Sequence, residues 1–105
     1  MSKIALLNDM LRRTFSGGKV VMTPGVAALA EDELARTLER VRRFNDFTSD
    51  NDPHGEHDFG SFELAGVTYF FKVDYYAPDM ESGSEDPSDP QKTVRVLTIM
   101  RADEY

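Results

Sequence analysis

The first fifteen residues carry apolar side chains at helical spacing. Ile4, Leu7, Leu11 and Phe15 recur at three- and four-residue steps, so residues 2–15 read as an amphipathic helix with one apolar stripe. Ser2 suits its N-cap, Arg12 and Arg13 suit the negative end of its dipole, and Gly17-Gly18 stop it. Lys19-Val-Val-Met-Thr23 is short and β-branched, a strand by propensity, and Pro24-Gly25 ends it. Residues 26–29 form a helical turn leading into a second helix at about 31–44. Glu31, Asp32 and Glu33 lie at its positive end, and Leu34, Leu38 and Val41 make its buried stripe, with Phe44 near its end. Arg36, Arg40 and Arg43 fall on another face, with Glu39 placed to pair with Arg43 at i, i+4. That row reads as a solvated face, an anion-binding face being the alternative.

Both periodicities lapse over residues 45–60, a stretch rich in Asp, Asn, Ser, Gly and Pro, which make turns through their own side chains. Sixteen residues without regular structure are long for a connection in so short a chain. Phe47 and Phe59 at the ends point to anchoring. A hairpin follows: Ser61-Phe-Glu-Leu64, a turn at Ala65-Gly66, then Val67 to Tyr75. Val67, Tyr69, Phe71, Val73 and Tyr75 share one face, and Thr68, Phe70, Lys72 and Asp74 form a mixed, partly exposed one. Residues 77–91 read as a mobile loop rich in Pro, Asp, Ser, Glu and Gly. Thr93 to Met100 is a strand, apolar on both faces through Val94, Val96, Leu97 and Ile99, as expected of a central or doubly covered strand. If the last two strands pair, Asp103-Glu104-Tyr105 is expected near Asp74-Tyr75-Tyr76. The order α-β-α-β-β-β predicts a single α+β domain over residues 1–105, a mainly antiparallel four-stranded sheet with two helices packed on one face.

Composition narrows the function classes. The 105 residues are 40% hydrophobic and 30% charged, which suits one soluble globular domain. With no cysteine, disulfide scaffolds, Cys-based zinc sites and Cys nucleophiles are excluded. No apolar run is long enough to span a membrane, and the opening Met-Ser-Lys-Ile-Ala-Leu-Leu, broken by Asn8-Asp9, is too short for a signal peptide. A cytoplasmic protein is expected. The net charge of −7 is unevenly spread: residues 1–44 carry +3 and residues 45–105 carry −10. Segments 45–60 and 77–91 hold five acids each and no base. Such segments disfavour direct nucleic-acid binding, which needs cations, and suit a partner protein with a basic surface.

The dense cluster of ligand-type side chains is Asp50, Asn51, Asp52, His54, Glu56, His57 and Asp58, which holds both histidines of the chain. Imidazole and carboxylate together can bind zinc, manganese or iron, with His57, Glu56 and Asp58 as the candidate ligands. A calcium loop counted from Asp50 puts Gly55 sixth but Ser61 twelfth, where glutamate is needed. The order His54-Gly55-Glu56-His57 is not that of a zinc-protease helix. His57 with Asp58 or Glu56 can do acid/base chemistry, but no nucleophile motif, phosphate loop or oxyanion signature accompanies them. The structural alternative is a loop of Asx turns around a hydrogen-bonded His57. No cofactor is expected.

The chain resembles a proteobacterial family called domain of unknown function 3768. The resemblance is carried by Ile4 to Asp9, Gly18 to Val21, Arg40 to Phe44, Phe47 to Gly60, Lys72 to Tyr76 and Arg95 to Met100. The 50–60 loop is its most specific part, and in the family pattern the His54 position is often tyrosine. The family brings no established activity. Its members resemble accessory genes of plasmids, prophages and integrated elements, which implies a counter-defence role, anti-CRISPR or anti-restriction. The expected function is then a non-catalytic acidic module whose binding residues are Asp50, Asn51, Asp52, Glu56, His57, Asp58, Asp86 and Asp89. The alternative is a small metal-dependent or acid/base enzyme centred on residues 50–58.

Overall fold

A computed structural model describes residues 1–105. Ser2 caps the first helix, α1 (Lys3–Thr14), its hydroxyl accepting the Ala5 N–H at 3.0 Å. The helix ends at Phe15, which takes a left-handed φ of 55° and donates its N–H to Leu11 O at 2.7 Å. The stop thus falls two residues before the expected glycine pair. Gly18 serves a different need: a Cβ there would lie 2.6 Å from the Arg95 carbonyl oxygen, so its bare backbone lets β1 (Lys19–Met22) lie beside β4 (Val94–Arg101). The expected turn after β1 is a separate short helix, α2 (Pro24–Ala27), and α3 (Glu31–Arg43) follows. Ala30 gives α3 no side-chain cap, and its three first-turn acids meet the positive end instead.

The hairpin strands are β2 (Phe59–Leu64) and β3 (Val67–Tyr76), and a 3-10 turn (Ala102–Glu104) follows β4. Strand order is β1-β4-β3-β2, with β1 parallel to β4 and the other two pairings antiparallel. The sheet is therefore mixed, and the fold is α+β. The central place of β4 accounts for its apolar character on both faces. Tyr69, Phe71 and Val73 of β3 and Leu97 and Ile99 of β4 share the buried face, where Leu11, Val26 and Val41 of the three helices complete one core. On the opposite face Lys72 pairs with Asp74 at 2.8 Å.

Antiparallel pairing sets Arg101 against Tyr69 and Val94 against Tyr76. The C-terminal residues consequently lie at the far end of the sheet from Asp74-Tyr75-Tyr76, contrary to the sequence-based expectation. There Tyr105 packs edge-on to Phe70, and the Glu104 carboxylate accepts from Thr23 Oγ1, Gly25 N and Arg101 N. These donors hold that carboxyl below its ordinary range, the Thr23 hydroxyl foremost. The 77–91 segment is a run of hydrogen-bonded turns rather than a loose loop. Ala77 N donates to Ser82 O, Ser84 N to Tyr75 O, Thr93 Oγ1 to Asp86 O, and the Arg95 guanidinium to Pro87 O.

Candidate functional site: a buried polar clamp beneath the acidic loops

Helix α1 turns polar residues inward. Asn8 and Arg12 are fully buried and Asp9 nearly so, on the same flank as Ala5. The spacing 5, 8, 9, 12 is as helical as the apolar stripe; only the polarity hides it from a hydrophobic pattern.

Arg12 stands in the last turn of α1, but its guanidinium serves another helix. Its Nη1 donates to the carbonyls of Val41 (2.9 Å), Arg42 (3.1 Å) and Phe44 (2.7 Å), the open end of α3. Its Nη2 donates to Asp9 Oδ1 at 2.8 Å, and the guanidinium lies over the rings of Phe47 and Phe71. Burial lowers the guanidinium's affinity for its proton, and the Asp9 carboxylate works against that.

Asp9 also receives the 45–60 loop. His57 Nδ1 lies 3.0 Å from Asp9 Oδ1, and the imidazole stacks flat on Phe47 with centroids 4.1 Å apart. His57 takes a φ of 57° and Gly55 one of 64°. This winding aims the N–H groups of Glu56 and His57 at the Asp52 carboxylate, 3.0 and 3.2 Å away. Asp52 is only 8% exposed, and its Oδ2 lies 3.8 Å from His57 Nε2. Both imidazole nitrogens thus face carboxylates of the protein itself.

A second chain of bonds joins the loop to the sheet. Asn8 Nδ2 donates to the Glu56 carbonyl and to the Tyr75 hydroxyl, and that hydroxyl donates to Glu56 Oε1 at 2.9 Å. Burial, then the Glu56 acceptor, pushes the Tyr75 phenol well above its usual range, so it remains a donor at neutral pH. Arg95 Nε donates to Asn8 Oδ1 at 2.9 Å, while the same guanidinium holds Pro87 O and lies over the Tyr75 ring. Asn8 and Arg95 therefore tie both acidic loops to one end of the sheet.

The residues singled out from sequence separate into two groups. Asp52, Glu56 and His57 turn inward and are spent on the clamp. Asp50, Asn51 and His54 are exposed, while Asp58, Asp86 and Asp89 are half-buried. Asn51 closes its own turn with Thr48 and Asp46; Asp86 and Asp89 cap the N–H groups of Ser88 and Gln91. His57, Glu56 and Asp58 do not converge, and no three His, Asp or Glu side chains anywhere are placed to hold a metal ion. None of the four surface cavities is lined by Asp9, Asp52, Glu56, His57 or Tyr75. What this arrangement does chemically is bond a turn-rich loop to α1 and to the sheet. Asn8, Asp9, Arg12, Tyr75 and Arg95 complete the clamp and are not among the candidate site residues of the sequence; the helical spacing of the first three and the place of Asn8, Asp9, Tyr75 and Arg95 in stretches that resemble the family are their signals.

Asp58 is the exception within the loop. It has no ion-pair partner, and burial, then Glu56 and Asp52, raise its carboxyl above the ordinary range. An acid whose folded pKa is raised destabilises the fold above that value, and the penalty vanishes as pH falls below the ordinary Asp value. Asp58→Asn is thus expected to stabilise the protein at neutral pH by about 0.5 kcal/mol, the scale of substitutions outside the core. Denaturant melts at neutral pH and near pH ~3.5 check this: the gain should shrink in acid, and a gain that grows there would refute it.

Neither a curated protein nor a solved structure matches the chain. A family model matches residues 22–104, which span the loop, the hairpin, β4 and the C-terminal turn, and leave α1 outside the match. The match covers most of the chain, which therefore belongs to the family described as protein of unknown function (DUF3768).

Proposed function

We propose that this protein is a non-catalytic acidic module that docks on a basic surface of a partner protein. In this reading it serves a bacterial mobile element, in counter-defence against a nucleic-acid-binding system. The observation that supports the reading is the convergence of the two base-free acidic loops at one end of the sheet, held there by Asn8 and Arg95. The clamp fixes the loop backbones, so that Asp50, Glu85, Asp86 and Asp89 are presented from ordered turns at little entropic cost on binding. Ser88 hydrogen bonds hold the Asp86 carboxyl below its usual range, so it is charged at any physiological pH. Lys92, 3.4 Å from Glu85, offsets one of these charges. Carboxylates so arranged can stand in for phosphates on a cationic surface.

The test uses charge removal that keeps the turns. Asp50→Asn, Glu85→Gln, Asp86→Asn and Asp89→Asn are combined, because Asn preserves the capping acceptor. The wild-type chain, used as bait in its native host, is expected to retain a protein with a basic surface in a salt-sensitive manner. The combined variant is expected to bind it at least about tenfold more weakly. Equal retention by both chains would refute the reading.

A second reading, acid/base or metal-assisted catalysis in the 50–58 loop, draws on the Asp9–His57 pair, which orients an imidazole as catalytic dyads do. Zinc or manganese titration followed by thermal melting separates the two, since a ligand that binds the native state raises the melting temperature.

A further inference from the structure

The two outer edges of the sheet are treated differently. On β2, Arg40 crosses the edge, donating to the Glu63 carbonyl at 3.1 Å with its guanidinium over the Phe62 ring. Nothing comparable covers β1. Thr23 N donates to Ile99 O, and Lys19 to Met22 pair in parallel register with Val96 to Ile99. In such a ladder alternate residues bond inward. Lys19, Val21 and Thr23 therefore face β4, and the N–H and C=O groups of Val20 and Met22 face outward. Neither residue makes a backbone hydrogen bond outside the ladder. Val21 is 45% exposed and Met22 38%, both large apolar side chains on an open edge.

We infer that the β1 edge pairs with the same edge of a second copy of this chain. A two-fold axis through Val21 sets Val20 opposite Met22 of the other copy, and Met22 opposite Val20. Both are hydrogen-bonded positions of an antiparallel ladder, and each pair exchanges both of its N–H···O bonds. Val21 meets its own counterpart on the open face, and Lys19 meets Thr23, so no like charges face each other across the strands. The axis stands perpendicular to the sheet. It joins two four-stranded sheets into one with α1, α2 and α3 of both copies on the same side. The acidic loops leave each sheet at its Lys19 end, so the antiparallel arrangement carries them to opposite poles and keeps the two surplus negative charges apart. The edge is only four residues long, so the association is a concentration-dependent equilibrium rather than an obligate dimer.

Sedimentation equilibrium of the full chain tests this. The wild type is expected to move from monomer to dimer mass between low- and high-micromolar concentration. Val21→Lys and Val21→Glu each put like charges on the axis, and each is expected to weaken self-association by about tenfold or more, with an unchanged circular dichroism spectrum. An equimolar mixture of the two variants is expected to restore the dimer mass, because Lys then faces Glu. Met22→Pro removes an outward N–H without touching the inward bonds and should also abolish the dimer. A wild type that stays monomeric, a dimer that survives Val21→Lys, or a mixture that stays monomeric would overturn the inference.

Discussion

Replacing Arg12 with Met is expected to destabilise the protein by about 3–5 kcal/mol, the cost of breaking a buried ion pair from one side. Met fills much of the same volume, so the loss is electrostatic rather than a cavity effect. It leaves the Asp9 carboxylate, 5% exposed, without its nearest cation, and it leaves the carbonyls of Val41, Arg42 and Phe44 without a donor. A domain of this size has a total stability of about 5–15 kcal/mol, so the variant stands at the edge of folding. Arg12→Lys keeps the charge but not the planar fork that reaches four acceptors, and an intermediate loss of about 2 kcal/mol is expected. Urea denaturation of the three chains reads the order directly. Equal stability of Arg12→Met and wild type would mean that the α3 terminus is satisfied in another way.

The second large effect concerns the loop. Asp52→Ala is expected to cost about 2–3 kcal/mol, because two N–H groups, those of Glu56 and His57, lose a partly buried acceptor. Asp52→Asn retains one oxygen and should lose about half as much. The loss should be local, since α1 and the sheet share a core that includes Leu11, Leu97 and Phe71, while the hydrogen bonds of the Asp52 carboxylate stay within its own loop. The 45–60 segment is expected to detach from Asp9 while the sheet stays folded. Urea denaturation gives the magnitude, and amide exchange resolved by residue locates it.

Much of the architecture is legible in the sequence because its signals are apolar and periodic. The α1 and α3 helices, the Glu39–Arg43 pair at 2.8 Å, the hairpin turn at Ala65-Gly66 and the buried face of β3 all follow from spacing. The clamp is hidden because its members are polar and far apart in the chain. Asn8 meets Tyr75 across 67 positions and Arg95 across 87. Arg12 in the last turn of a helix reads as a partner of that helix's own dipole, and only the fold reveals that the carbonyls it meets belong to the end of α3. The parallel pairing of β1 with β4 is equally silent in sequence, since a four-residue β-branched run does not name its neighbour. The density of Asp, Asn, His and Gly in residues 45–60 marks an irregular, turn-rich segment. It does not tell that Asp52 and His57 point inward while Asp50 and His54 point out, because an irregular loop has no period from which to assign faces.

The loop that carries His57 is bonded inward, to Asp9, Asn8 and Tyr75, and its own Asp52 closes its turn. Hydrogen exchange at the Glu56 and His57 amides tests it most directly. The wild-type chain is expected to protect both amides by about 100-fold or more over an open loop, and Asp52→Ala to release them while the β3 and β4 amides stay protected. Exchange of the Glu56 and His57 amides at open-loop rates in the wild type would mean that Asp52 does not close the loop.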